Sequence, residues 1–429
     1  MSFRRGACPA LSAPMLTGDG LLVRLATAGA SLTPAQLSAL CAAAERHGNG
    51  LVEITARGNF QIRGLTAESA AALADDIAAL QLGLRDGVPV ETNPLAGLDP
   101  TETTNAAPLA AAIREALDAT DLKSRLAPKV SIIVDGGGRI GLPAVAADIR
   151  FDAVSENDWL VSIGGDASTA SRLGICHAGD VTEITLPLLE LTVSTGREGR
   201  GRDIPAEKAF VELGELVRPA GISVPAQEPA SPFGHIHLGG DRFAFGVGLP
   251  FGQIDSAELS TFASTLENLG ISEFRMSPGR ALLALGAGNS AGIAERAKAA
   301  GYVVSPDDPR ARIFACPGSA GCASGHFAAR EIAASVAREL NGTARSDIEL
   351  HISGCPKGCA HPTPAALTLI GTEQGPALVK NGTARQPGIP FGDQDVARRL
   401  LHEMRSHSSA QHRRRNGQQP QPAHAFAGE

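Results

Sequence analysis

From Gly18 to Gly240, an offset of 222, the chain repeats itself, and this duplication narrows its fold more than any other feature. Gly240-Asp241 stands against Gly18-Asp19, Leu259-Ser260 against Leu37-Ser38, Phe262 against Leu40, Gly270 against Gly48 and Gly286 against Gly64, without a gap. Polar residues recur along with apolar ones. Thr33-Pro34-Ala35-Gln36 has the form of a capping box with proline at the first helical position, and Asp255 with Glu258 falls in the same register. The pattern predicts a helix with Leu37, Leu40, Cys41 and Ala44 on its buried stripe and Gly48 or Asn49 as its stop. Apolar strands flank it at Leu21 to Leu25, at Leu51 to Thr55 and from Phe60 to Ile62.

A second correspondence, from Val130 to Ile348, has an offset of 218. Val130 to Gly136 and Ile348 to Gly354 are each a strand entering a glycine turn, and Ala146 to Ile149 lies opposite Pro364 to Leu367. The chain therefore reads as α+β, two copies of one module in a pseudo-twofold arrangement. Its expected parts are a lead at 1–17, half-domains at 18–85 and 240–304, larger halves at 86–218 and 305–404, a Pro-rich linker at 219–239 and a disordered tail at 405–429. One difference separates the copies. Where the first turn carries Gly137 and Gly141, the second carries Cys355 and Cys359.

Those two cysteines pair with Cys316 and Cys322 to give C-x5-C and C-x3-C in glycine- and proline-rich backbone, which can wrap closely round a bound group. Seven cysteines in 429 residues is an odd and sparse number, a poor basis for a disulfide scaffold. Structural zinc favours closer knuckles than C-x5-C, whereas an iron-sulfur cluster accepts wider spacers. Ser324 can cap a helix to about Leu340, which would put the first pair before a helix N-terminus and its positive dipole end. Cys8, Cys41 and Cys176 read as ordinary small residues. A net charge of -7 and 4% aromatic residues speak against nucleic acid. No run of ~18 apolar residues predicts a membrane span, and the basic start has no apolar region behind it, so a cytoplasmic protein is expected. The Arg-Gly alternation at Ser194 to Asp203 admits two readings, a solvated loop or guanidinium groups offered to carboxylates.

The cysteine pairs, the doubled module and Thr55-Ala56-Arg57-Gly58-Asn59-Phe60-Gln61 together resemble the nitrite and sulfite reductase family over nearly the whole chain. Ser353-Gly354-Cys355-Pro356-Lys357-Gly358-Cys359-Ala360-His361-Pro362 is similar to the form this motif takes in the family's branch from aerobic cobalamin synthesis. The resemblance implies a 4Fe-4S cluster on Cys316, Cys322, Cys355 and Cys359, a mononuclear non-haem iron, and a monooxygenase. Such an enzyme uses O2 and electrons from NADH or an electron-donating reductase. Its implied substrate is the tetrapyrrole precorrin-3A, hydroxylated at C20 as a ring A acetate closes to a lactone. The alternative within the family is a sirohaem-dependent nitrite or sulfite reductase, with Cys359 bridging cluster and haem.

By the same resemblance, Arg57 and Gln61 match an R-x-x-x-Q pattern whose arginine reaches the macrocycle or its bound anion, and Lys129 matches the first of two anion-binding lysines. Ser131 stands in place of the second lysine, and Val88 in place of an arginine ahead of Asn93-Pro94-Leu95-Ala96-Gly97. Reducing a small oxyanion needs several cations to bind and protonate it, so these departures favour a carboxylate-rich tetrapyrrole. Arg280 offers a second forked donor at the corresponding turn, and Lys357 a further substrate-binding cation. His361 is a candidate ligand of the second iron, with His235 and His237 as others. An iron-sulfur carrier with no substrate of its own would need neither the duplicated module nor a paired arginine turn.

Overall fold

The computed structural model describes residues 9–27, 30–84, 87–219, 231–340, 348–361 and 363–415. Cys8, most of the Pro-rich stretch and the Asn341-Gly342 helix stop lie outside them. By its contacts the chain divides into two units, Met1–Leu16 with Gly20–Val304, and Thr17–Asp19 with Ser305–Glu429.

The first half-domain runs β1 (Met15–Thr17), β2 (Gly20–Leu25), β3 (Ser31–Leu32), α1 (Pro34–His47), β4 (Leu51–Ile54), β5 (Phe60–Leu65) and α2 (Ala67–Ala79). Helix α1 starts where its polar residues require. Thr33 Oγ1 accepts the Gln36 amide at 3.2 Å while Gln36 Oε1 accepts the Thr33 amide at 2.9 Å. Leu37, Leu40, Cys41 and Ala44 are fully buried, and burial pushes the Cys41 thiol up to about 12, so it is an inert core residue. The first larger half follows with β6 (Val90–Glu91), α3 (Ala107–Asp118), α4 (Leu122–Arg125), β7 (Ile132–Asp135), β8 (Ala147–Ala153), β9 (Asp158–Gly165), β10 (Ser171–His177), α5 (Val181–Ser194) and α6 (Ala206–Leu213).

The second half-domain repeats the order as β11 (Gly234–His237), β12 (Arg242–Gly248), β13 (Gln253–Asp255), α7 (Ser256–Glu267), β14 (Ile271–Ser277), β15 (Ala281–Ala287) and α8 (Ile293–Ala299). Pro34 and Ser256, the first residues of α1 and α7, keep the offset of 222. The second larger half has β16 (Ile313–Ala315), α9 (Ala329–Leu340), β17 (Leu350–Ser353), β18 (Ala365–Thr372), β19 (Gly375–Gly382), β20 (Ile389–Pro390) and α10 (Val396–Arg415). Ile132 and Leu350, which open β7 and β17, keep the offset of 218.

Among the described residues twenty strands make four five-stranded sheets: β1-β2-β5-β4-β13, β11-β12-β15-β14-β3, β10-β9-β8-β7-β6 and β16-β17-β18-β19-β20. In the half-domain sheets the fifth strand is borrowed. β13 pairs with β4 (Ile254 opposite Val52), and β3 pairs with β14 (Leu32 opposite Phe274), so each copy lends the other the strand before its own helix. One apolar core fills the space between, with Leu37 and Leu40 of α1 and Leu259 and Phe262 of α7 in the same cluster. In the larger halves three parallel strands, β6-β7-β8 or β16-β17-β18, lead into two antiparallel ones.

Three expectations change. Strand β11 lies inside the stretch expected to be linker, because it completes the second half-domain sheet, with His235 opposite Phe245. Helix α9 begins at Ala329 and not after Ser324, because the Gly325 and His326 amides donate to Cys322 O (2.9 Å) and Gly354 O (2.8 Å) instead of opening a helical turn. Helix α10 carries helical backbone past Arg405 to Arg415, after burying Leu400, Leu401 and Met404 in its first turns.

Candidate cluster site and substrate-binding residues

In the second unit, parallel β16 and β17 put Ala315 beside Ile352, so the loops leaving their C-terminal ends emerge at the same edge of the sheet. Cys316 follows β16 at once, and Gly354-Cys355 follows β17. Glycine lets the loops close on each other. A Cβ on Gly354 would sit 2.8 Å from Gly318 Cα and 3.5 Å from Cys316 Sγ, and at Gly318 (φ 65°) it would strike the backbone of Phe327 and Ala329. Gly18, in the same unit, lies against Cys322 and Ala323 with no room for a side chain. The Gly354 amide donates to Cys316 Sγ at 3.1 Å, so one cysteine loop aims a backbone donor at a sulfur of the other. Lys357 Nζ donates to Ser324 Oγ at 2.8 Å, tying one cysteine loop to the other.

Cys316, Cys322, Cys355 and Cys359 are all free thiols. Burial pushes the Cys359 thiol up, the other three cysteines push it further, and Lys357 opposes them. A zinc knuckle would hold sulfurs about 2.3 Å from one ion. Among the described residues no three His, Cys, Asp or Glu stand close enough together to share an ion. Four free thiols on two glycine-rich loops, which a Gly354 amide on Cys316 Sγ and a Lys357-Ser324 bond hold together, fit an iron-sulfur cluster. A mononuclear iron finds no such ligand set among the described residues. His361 is stacked on Phe314 with ring centroids 4.2 Å apart, and its Nε2 is 3.0 Å from Thr363 Oγ1. His235 and His237 are exposed on β11, His235 stacked on Phe243.

The cysteine-free twin, in the first unit, shows what replaces a cluster. Asn93 Nδ2 donates to Gly137 O at 3.1 Å and to Glu102 Oε1 at 2.7 Å, and Asp99 Oδ2 accepts the Arg139 amide at 2.6 Å. Asp135 holds the turn from below, accepting the amides of Gly137 (3.0 Å) and Leu142 (2.6 Å). Burial pushes its carboxyl up to about 6 against those two bonds. Side-chain hydrogen bonds sew together the loops that thiolates would otherwise join through a shared group.

The arginine turns of the two copies meet. Arg57 bridges to Pro278, the Gly279 amide donates to Ala56 O at 3.0 Å, and Gly58 (φ 76°) packs on the Ser277-Pro278 backbone. In the 222 register Arg57 aligns with Gly279 and Arg280 with Gly58, so the copies carry the arginine one position apart. Arg280 inherits the left-handed backbone of that glycine, with φ 61°. A non-glycine residue there costs roughly 1 kcal/mol, and strain of this kind clusters at functional sites. Arg280→Gly is therefore expected to leave the melting temperature unchanged or raised while the KM for substrate rises. A clear drop in melting temperature would make Arg280 a packing residue.

Arg57, with a side chain 35% exposed, reaches Glu91 at 3.4 Å and the Ala146 carbonyl. Burial raises the Glu91 carboxyl and Arg57 opposes it. Gln61 is buried, its Oε1 accepting from Arg24 Nε (2.8 Å) and Nη2 (2.6 Å) and its Nε2 donating to Glu53 at 2.7 Å. It braces the sheet face beside Arg57. Lys129 is exposed, but its backbone is clamped. Asp148, 2% exposed, accepts from Arg200 Nε (2.8 Å), Arg200 Nη2 (2.9 Å), the Gly201 amide (2.8 Å) and the Ser131 amide (2.9 Å), while Arg200 Nη2 also donates to Lys129 O at 3.1 Å. The Arg-Gly loop thus offers Arg200 to a carboxylate of its own chain. Asp148 and Arg200 were not singled out from the sequence, although a lone Asp in an apolar strand and an Arg-rich glycine loop are the two halves of such a clamp. Val88 is partly buried against the core of its half, and Ser131 is buried.

Residues 13–80 match the model of the nitrite/sulfite reductase ferredoxin-like half domain. Over 399 residues the chain is 40% identical to a precorrin-3B synthase from Sinorhizobium sp, covering 91% of this chain and 85% of that one. At 26% identity over 430 residues it is similar to the sulfite reductase (NADPH) hemoprotein beta-component of Xanthomonas oryzae pv. oryzae, covering 82% of this chain and 74% of that one. The solved structure of Mycobacterium tuberculosis NirA superposes with a TM-score of 0.71 at 19% identity, over 87% of this chain and 77% of that one, which shows a common fold.

Proposed function

This chain belongs to the precorrin-3B synthase branch of the nitrite and sulfite reductase family, and from that premise we propose that it oxidises precorrin-3A to precorrin-3B in cobalamin synthesis. The reaction hydroxylates C20 and closes the ring A acetate to a lactone. O2 is the co-substrate, and the electrons come from NADH or a reductase. One observation supports this over oxyanion reduction. The two positions where the resemblance expects further cations hold Val88, packed on the core, and Ser131, buried with its amide on Asp148, and neither can bind and protonate a small oxyanion.

A 4Fe-4S cluster bound by Cys316, Cys322, Cys355 and Cys359 would supply electrons one at a time. The rest falls to the chain's own side chains. Arg57 and Arg280, at abutting turns, offer forked donors that orient the macrocycle's carboxylates, and Gln61 keeps the strand behind Arg57 in place. Lys129, its backbone held by Arg200, adds a point charge that draws in the same groups. Among the described residues no helix is long and apolar enough to cross a membrane, and four thiols kept reduced fit a cytoplasmic setting.

The test is anaerobic purification followed by turnover. Broad cluster absorption that bleaches with dithionite, and gain of one oxygen by precorrin-3A, are expected. Sirohaem bands with sulfite turnover would overturn the reading. Arg57→Ala is expected to raise the KM for precorrin-3A by roughly 10- to 100-fold, the worth of a charge-assisted hydrogen bond, with cluster absorption unchanged.

A further inference from the structure

Lys357 sits midway between Cys355 and Cys359, and Ser324 lies two residues beyond Cys322. Their bond, at 2.8 Å, joins the loop of one cysteine pair to the loop of the other. The twin copy has ties of its own at this place. Position 139, which matches Lys357 at the offset of 218, also reaches across, its amide held by Asp99 at 2.6 Å, and Asn93 crosses to Gly137. In the twin the crossing groups are neutral amides and carboxylates. The cysteine copy uses an ammonium group, carried two residues from Cys355 and two from Cys359 and tied to Ser324 of the other loop. An ammonium is a compact, fixed charge, and the reduced form of a cluster is one unit more negative than the oxidised form, so a cation held beside the thiolates favours reduction.

We propose that Lys357 is not a substrate ligand but the strap and counter-charge of the cluster loops, closing them through Ser324 and raising the reduction potential of the cluster they hold. This rests on the 4Fe-4S reading above. Substrate carboxylates could take Lys357 only by breaking its bond to Ser324.

Three variants of the reconstituted holoenzyme separate strap from charge. Lys357→Met removes both, Ser324→Ala removes only the strap, and Lys357→Arg keeps the charge. The readouts are the cluster's midpoint potential by redox titration and the rate at which a chelator strips its iron. Lys357→Met is expected to lower the potential and to speed iron loss by about tenfold or more, the usual scale for groups that support metal ligands. Ser324→Ala should speed iron loss with a smaller shift in potential, and Lys357→Arg should hold the potential near that of the wild type. If Lys357→Met and Ser324→Ala keep the wild-type potential and cluster lifetime while Lys357→Met raises the KM for precorrin-3A, Lys357 is a substrate ligand and the proposal fails. If Lys357→Met does not fold, unaltered iron loss in Ser324→Ala is enough to overturn it. A wild-type chain that takes up no iron and sulfide would instead overturn the cluster reading on which it rests.

Discussion

Cys355→Ser is expected to abolish the dithionite-bleachable absorption of the reconstituted protein and to bring precorrin-3A turnover to background, with the fold intact. Cys355 is 8% exposed and follows β17 by two residues, at the point where the two loops converge. A serine hydroxyl stays protonated where a thiol ionises, and it is a hard ligand where iron-sulfur chemistry needs a soft one. The volume change is small, and the sheet beneath is held by Leu350, Ile352, Leu367 and Leu369, all fully buried, so melting should move little apart from what cluster binding adds. Cys176→Ser, in the core of the other unit, is the control that must keep the absorption. Retention of a wild-type spectrum by Cys355→Ser would remove it from the ligand set.

Asp148→Ala should be the most destabilising of the substitutions considered. The carboxylate is almost fully buried and satisfies two backbone amides and both arms of the Arg200 fork. The Arg200 side chain, 25% exposed, can turn to water, so the cost comes mainly from the Ser131 and Gly201 amides left without their acceptor, at about 1–3 kcal/mol each. For a unit of this size that lowers the melting temperature by roughly 10 °C. The loss should reach the substrate as well, since Arg200 would no longer hold the Lys129 carbonyl. Arg200→Lys, which keeps a charge and loses the fork, should cost less than Asp148→Ala in calorimetry and still raise the KM. A melting curve for Asp148→Ala within a degree or two of the wild type would show that the clamp carries no load.

Much of the frame could be read from residues close together in the chain. Thr33 and Gln36 started α1 where their hydrogen bonds lie, because a capping box is satisfied within four residues. Ser324 misled for the same reason. Its local surroundings suit a cap, but Lys357, distant in sequence, takes its hydroxyl, and the Gly354 carbonyl takes the amide that would have opened the turn. The paired arginines and their one-position shift lie in the 222 register, whereas the glycine-like conformation that Arg280 takes shows only in backbone angles. Gln61 carried a motif's promise of contact with a ligand. In the fold both ends of its amide are taken by Arg24 and Glu53, partners on neighbouring strands.

The duplication, the helices and strands that repeat in it, and the four cysteines of one copy set against the glycines of the other are all legible in the order of residues. These rest on periodicity, capping and spacing, which are local in the chain. The exchange of fifth strands between the half-domains, the pairing of Arg200 with Asp148 and the bond from Lys357 to Ser324 across the cysteine loops appear first in the folded chain. Each is a hydrogen bond or strand pairing between residues far apart in the chain. Such partners are chosen by which donors and acceptors the packed core leaves within about 3 Å of each other, and no local pattern records that choice.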